Sequence, residues 1–443
     1  MIFLSLHKRK ILFTSLSVGI LVCFLAGCAL LDQFGPSSQA TQSVLEPQEP
    51  ATSPPVNDSP KATSNPTAQS NNLVIWLPPQ FDPEDQTAAG SILKARLELF
   101  NNENPELNVA VRIKTVNGQG GLLDSLAAAS AAAPAALPAL ILLSKSDFET
   151  AALKGLIFPV TSLTQTLKGD DWFAFAESLS TIQGVQYGIP LAGDPLVLAY
   201  DQHQIAFPPK TWQEMSQQSS IVTFPAADPA SVLSMVMYQS SGGKFEDTDG
   251  KISLQADKLN LVYQIIYNGS FSGAFPYWIA DFSTFDQSLN SFTEGYSGLT
   301  IVWASRVLRT PSENISIAPL PSFSSDLFTI TDGWLLCLPN PTIEGSSDAL
   351  KLAEYLMDPG FQQKWTEAAG LIPARRSVLA NWSDQDLAST LFSIAESAQT
   401  LPENENVFRL GSILQESMTA LIRQQTSPTQ ATDQTLQKIL GQN

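Results

Sequence analysis

The run Leu73-Val74-Ile75-Trp76-Leu77 is short and uniformly apolar, the pattern of a buried strand. Leu93, Leu97 and Phe100 then recur at spacings of four and three, which predicts one face of a helix, and the Asn-rich stretch ending in Pro105 predicts its stop. Leu107, Val109, Val111 and Ile113 alternate as a half-buried strand does. An Ala-rich helical stretch from Leu122 to Ala133 breaks at Pro134, and Leu140-Ile141-Leu142-Leu143 predicts a third strand. Strand, helix, strand, helix, strand implies a parallel sheet with helices on its faces, because parallel neighbours need crossovers. Further along, Gly345-Ser346-Ser347-Asp348 predicts a helix start, Ala349, Leu352, Ala353 and Leu356 its inner stripe, and Pro359-Gly360 its end. Leu414, Met418, Leu421 and Ile422 stripe a final helix, and no internal repeat is visible.

The first residues carry a different pattern. A basic tip (Lys8, Arg9, Lys10) leads into an apolar run from Ile11 and then into Leu25-Ala26-Gly27-Cys28. The apolar core is too short and too abruptly ended for a spanning helix, and small residues precede the cysteine as signal cleavage requires. The four residues resemble the lipobox of bacterial lipoproteins. That resemblance implies a signal peptide over 1–27, cleavage before Cys28, acylation of its thiol, and a chain held at the extracytoplasmic face of a bacterial membrane. An ordinary secretory signal with an incidental Cys28 is the alternative. From about Gly35 to Asn72 the chain is mostly Pro, Ser, Thr, Gln, Asn and Ala. It cannot bury enough apolar surface to offset ordering entropy, so 28–72 is expected to be an acylated cysteine and a disordered tether.

Removing signal and tether leaves about 370 residues, a natural size for two domains. The 42 acidic residues outnumber the 24 basic ones, and three of the basic ones lie in the signal. So acidic a chain, without a basic cluster, is a poor nucleic-acid binder. Cys337 sits inside the apolar run Trp334–Leu338, with only Cys23 and Cys28 elsewhere, so no disulfide framework is expected in the body. Apart from His7 the only histidine is His203, which leaves no His/Cys zinc site. No Gly-x-Ser-x-Gly elbow occurs, and His203 is expected in a solvated loop. Asp247-Thr248-Asp249-Gly250 lacks the remaining ligands of a calcium loop and is expected to be a turn. No metal or cofactor is expected.

The order of blocks has a family look. LVIW, a helix ending FNNENPELNVAVRI, ALILLSKSDFETAALKGLIFPV, GVQYGIPLAGDPLVLAYD, SFTEGYSGLTIVWAS, SIAPLPSF, TDGWLLCLP and ALKLAEYLMDPGFQQKWTEAAGLIPARRSVL together resemble the extracellular solute-binding proteins of sugar-type ABC importers, over nearly all of 73–443. One departure is Ala139 after Pro138, where that family usually has an acidic residue. The resemblance implies an α/β, two-lobed, periplasmic-binding-protein-like fold, with a hinge crossed more than once and ligand in the cleft between the lobes. Lobe 1 would comprise 73–190 with 319–365, and lobe 2 191–318 with 366–443, with the first crossing near Tyr187 to Ala192. The protein would be a monomer without catalytic residues that captures a mono- or oligosaccharide and delivers it to ABC permease subunits.

A pyranose has an apolar face and a rim of hydroxyls, so its site needs flat aromatic platforms with polar partners for the rim. By family position Trp76, Trp303 and Trp334 would face the cleft, and Trp278 in Phe275-Pro276-Tyr277-Trp278 is a fourth candidate. Asp194 is the favoured acceptor and Arg306 a rim donor. Core packing is the competing role for each indole, and it is the role assigned to Trp212 and Trp365. Two other functions stand beside the transport reading. One is a lipoprotein glycoside hydrolase with a carboxylate pair astride a sugar cleft; the other is a binding protein that serves a sensor.

Overall fold

The computed structural model describes residues 71–160, 169–309, 312–339 and 343–441. The signal peptide, Cys28 and the tether up to residue 70 lie outside the described residues. The body opens as the hydrophobic pattern predicts. Strand β1 (Asn71–Leu77) pairs in parallel with β2 (Leu107–Ile113) and β3 (Leu140–Ser144), with α1 (Ala88–Glu103) and α2 (Leu122–Ala132) as crossovers. The Thr87 hydroxyl accepts the Gly90 N–H at 3.1 Å and so starts α1, whose stripe Leu93, Leu97 and Phe100 is buried. The strand begins at Asn71, inside the span expected to be tether, because Asn71 and Asn72 continue the ladder opposite Leu107 and Asn108.

After α3 (Lys145–Leu153), α4 (Ala174–Ser180) and the small hairpin β4 (Thr181–Ile182) and β5 (Val185–Gln186), the chain enters β6 (Gly188–Asp201). This strand serves two sheets. Gly188 to Pro195 pair with the later strand β10, whereas Leu196 to Tyr200 pair with β8. The change of partner therefore falls just beyond the stretch 187–192. Next come α5 (Trp212–Ser216), β7 (Val222–Thr223), α6 (Val232–Ser240), α7 (Ala256–Ser272), α8 (Phe285–Thr293), β8 (Leu299–Trp303), α9 (Ala304–Leu308) and β9 (Ile315–Ala318). Strand β10 (Thr329–Cys337) then runs back along β6 and inserts between β6 and β3. Two apolar cores form, and alternate residues of β6 divide between them: Leu196 and Leu198 join the second, Val197 and Ala199 the first.

The remaining elements are α10 (Ile343–Leu356), α11 (Pro359–Ala369), β11 (Ile372–Pro373), α12 (Arg376–Ala380), α13 (Gln385–Ser397), β12 (Ala398–Thr400), α14 (Asn404–Ile422) and α15 (Pro428–Leu440). Residues 366–398, expected in lobe 2, differ from that expectation. Leu371, Trp382, Leu391 and Ile394 are buried in the first core, α11 packs on α1, α13 packs on α4, and β11 pairs with β6. A helix stripe announces that a face is buried but not against which core. The chain leaves for the second core only after β12, where α14 and α15 pack on α7. Among the described residues the chain thus passes between the two cores three times: in β6, in β10 and between β12 and α14. Cys337 is fully buried, as its apolar run implies.

Candidate functional site between the lobes

In open α/β sheets the carboxyl ends of the strands carry the site. In the first lobe those ends lead from β1 into the turn Pro79–Phe81 and from β3 into α3; in the second they lead from β7 into residues 224–231 and from β8 into α9. The hinge strands β6 and β10 run between the two sets.

Trp334 lies half-buried on β10, opposite Ser144 of β3 and Ala192 of β6, and Phe81 meets it edge-on at 5.1 Å. Trp303 closes β8, also half-buried, opposite Leu196 and 5.5 Å from Phe285. Trp303 thus ends its strand whereas Trp334 lies inside β10, and each is backed by a phenylalanine while remaining partly exposed. Trp278 is half-buried in the 3-10 turn Tyr277–Asp281 against Phe282, at 5.3 Å. Trp76 is different: it is only 4% exposed, and the Lys114 ammonium sits 4.6 Å from its ring centre. Its indole is a packed wall rather than an open platform. Arg306 is exposed and pairs with Asp286 at 3.4 Å. Trp212 and Trp365 are buried in the second and first cores respectively, in keeping with packing.

Asp194 is fully engaged by the protein. Its Oδ1 accepts the Ser305 N–H at 2.9 Å and its Oδ2 accepts the Ser305 hydroxyl at 2.6 Å, while its own N–H donates to Thr331 Oγ1. Burial pushes its pKa up to about 6 against the pull of those hydrogen bonds. Directly opposite on β10 lies Asp332, whose Oδ1 accepts the Gly333 N–H at 2.7 Å and the Lys145 N–H at 3.3 Å. Burial raises its carboxyl as well. Asp147, in the first turn of α3, is pushed up to about 6 by burial and then by the Asp332 charge, and its Oδ2 is buried without a hydrogen-bond partner. Lys145 is buried and paired with Glu149 at 2.8 Å, and Glu149 in turn accepts the Asn404 N–H at the start of α14.

Sequence pattern gave no notice of Asp147, Asp332, Phe81 or Phe285. Their importance comes from register and from packing between distant segments. Phe408 was also missed. It stands 86% exposed near the start of α14 and lines a hollow of ≈ 600 Å³ with Pro229, Ala230, Val407, Arg409 and Ser412. A helical position that breaks the apolar stripe with an aromatic residue is the one signal that could have found it. The same hollow adjoins Ser231, a non-glycine residue in the left-handed region (φ 49°) ahead of α6, and the Asp228 carboxylate accepts the Ala230 and Val232 N–H groups there. A larger groove of ≈ 830 Å³, bounded by α4, β12 and residues 242–246, contains none of the six residues expected at ligand.

Part-exposed indoles on strands that also carry hydrogen-bonded carboxyls suit binding of a neutral, amphipathic molecule. Among the described residues no cluster of His, Cys, Asp or Glu could hold a metal ion, and no helix is long and apolar enough to cross a membrane. His203 is exposed in a turn after β6.

The fold recurs in solved sugar-binding proteins at low identity. The MalE sugar-binding protein of Xanthomonas citri is 18% identical with a TM-score of 0.68, covering 84% of this chain and 98% of its own. Maltose-bound MalE3 of T. maritima is 16% identical with a TM-score of 0.64, covering 84% of this chain and 100% of its own. An ABC transporter solute-binding protein of Thermotoga lettingae bound with α-D-tagatose is 18% identical with a TM-score of 0.62, covering 84% and 99%. No curated protein sequence matches the chain. Residues 95–390, well over half of the chain, match the family model of the bacterial extracellular solute-binding proteins, and the chain belongs to that family.

Proposed function

We propose that this solute-binding protein captures a carbohydrate between its two lobes and hands it to the permease of an ABC importer. The observation that carries this reading is the pair of part-exposed indoles, Trp334 within the crossing strand β10 beside β3 of the first lobe and Trp303 at the end of β8 in the second. A sugar stacks its apolar face on such rings and leaves its hydroxyls for polar neighbours. Maltose in MalE3 of T. maritima and α-D-tagatose in the Thermotoga lettingae protein are the solutes named for two relatives in fold. In this assignment Trp303 and Trp334 are the platforms, Trp278 and Phe408 extend the second lobe's surface, and Arg306 serves the rim. Trp76 supports the site from behind, and Asp194 shapes it through Ser305. Ligand gains contacts to both lobes only when they close, so binding shifts the population toward closure. The Cys28 lipid would hold the body at the outer face of the membrane, next to its permease.

A thermal-shift panel of sugars, followed by calorimetric titration of the hits, tests the assignment. Saturable binding of a sugar that is recovered intact supports it, whereas a cleaved sugar points to the glycoside hydrolase instead.

A further inference from the structure

The two crossing strands meet in an uncommon way. Asp194 and Gly193 on β6 stand opposite Asp332 and Gly333 on β10, so a pair of carboxyl groups and a pair of glycines occupy adjacent rungs of the hinge. Each carboxyl is tied to a different lobe: Asp194 to Ser305 of α9 in the second, Asp332 to the Lys145 N–H that begins α3 in the first. Helix α4 seals the glycine side. A Cβ on Gly193 would come 2.8 Å from the Phe175 ring, and one on Gly333 would come 2.4 Å from Leu179. Water is therefore kept from the glycine face, while the Asp194 and Asp332 side chains, one residue along each strand, leave by the opposite face and are half-buried there. Asp147 joins from α3, with one carboxyl oxygen buried and unpartnered beside Asp332.

The charges facing this group do not neutralise it. From α3, Lys145 acts on Asp332 but is bonded to Glu149. From α9, Arg309 acts on Asp194 while donating to the Ala369 carbonyl, and Arg306 pairs with Asp286. Glu177 of α4 is exposed, and β8 and β11 add no titratable side chain at the rung. In this half-buried hinge the Asp332 charge repels both Asp147 and Asp194 when they are ionised, and Asp332 and Asp194 are anchored to opposite lobes.

We propose that the Asp147, Asp194 and Asp332 carboxyls make the hinge proton-sensitive, so that uptake of a proton lets the lobes approach and its loss props them apart. The device needs no particular solute, so it can fail or hold independently of the carbohydrate assignment. Mild acid would then favour the closed form before ligand arrives and tighten binding of a solute that demands closure.

The test is energy transfer between dyes introduced through unnatural amino acids at exposed Glu98 on α1 and exposed Asp257 on α7, in the full-length protein in detergent and without ligand. In the wild type, transfer efficiency should shift with a midpoint near pH 6, where Asp147 and Asp194 titrate. In Asp332→Asn, which removes the charge facing both neighbours, the shift should shrink and its midpoint fall. Asp147→Asn carries the same test if Asp332→Asn fails to fold by circular dichroism, because the buried Asp147 oxygen has no hydrogen bond to lose. An efficiency that stays flat from pH 5 to 7.5 in folded wild type overturns the proposal. So does a shift that survives unchanged in Asp147→Asn.

Discussion

Replacing Trp303 by alanine separates a ligand platform from a core residue by magnitude. The indole is half-buried against Phe285, so its open side is what a sugar would cover. Stacking contributes about 0.5–1.5 kcal/mol beyond area burial. Covering on the order of 60 Å² of ring adds about 1.5 kcal/mol at ~25 cal/mol per Å². Together the loss is about 2–3 kcal/mol, or roughly 30- to 150-fold in Kd. The folding cost should be smaller than the ~3–5 kcal/mol of a fully buried aromatic, because the side chain is only partly buried. Trp334→Ala, which also gives up the Phe81 edge contact, should behave alike. The assay is calorimetric titration with a sugar taken from the thermal-shift panel, on variants whose circular dichroism matches wild type. Trp212→Ala is the control: that ring is 1% exposed in the second core, so the variant should lose stability and keep its Kd. If Trp303→Ala and Trp334→Ala bind within twofold of wild type while folded, the two indoles are packing residues and the site lies elsewhere.

Cys28→Ser should move the protein from the membrane to the soluble fraction, and unchanged fractionation refutes the lipid anchor. Asp194→Asn keeps the size of the side chain and one acceptor for Ser305, so it should cost about 1 kcal/mol of stability and less than tenfold in affinity; a larger loss of affinity, with the tryptophan variants intact, marks direct contact with a polar or cationic ligand. Gly269→Ala gains about 1 kcal/mol of helix propensity but places a Cβ 2.1 Å from the Phe275 ring, so thermal unfolding should show a net loss, and a raised Tm contradicts the packing. Folding raises the proton affinity of Asp147 and Asp194 from 3.8 to about 6, so the stability they contribute is complete below pH 3.8 and is lost as the pH rises through about 6; Asp147→Asn should flatten the fall in Tm between pH 5 and 7, and identical profiles in variant and wild type refute it.

Local pattern carried the first five elements because each buries its own apolar residues, whatever the rest of the chain does. The spacing of Leu93, Leu97 and Phe100 and the uniform run 140–143 appear as α1 and β3 with buried faces. Two things lay beyond such signals. The first is assignment to a core: the apolar residues of 366–398 could face either core, and only packing against α1 and α4 places them with the first. The second is register. Asp332 is one acidic residue among 42 until β10 sets it opposite Asp194. The aromatic candidates were legible by type but not by exposure. Trp76 lies under Lys114, while Trp303 and Trp334 stay partly exposed, and that difference depends on which neighbour covers each ring.

Capture between closing lobes is tested most directly by titrating the dye-labelled full-length protein with maltose, mannobiose and α-D-tagatose at fixed pH while following energy transfer, and by recovering the sugar afterwards. At least one of these sugars, or a near relative from the panel, should raise the transfer efficiency saturably, in step with the calorimetric isotherm, and be recovered intact. Saturable binding with no change in the distance between lobes, or recovery of a cleaved sugar, would contradict a closing carbohydrate clamp.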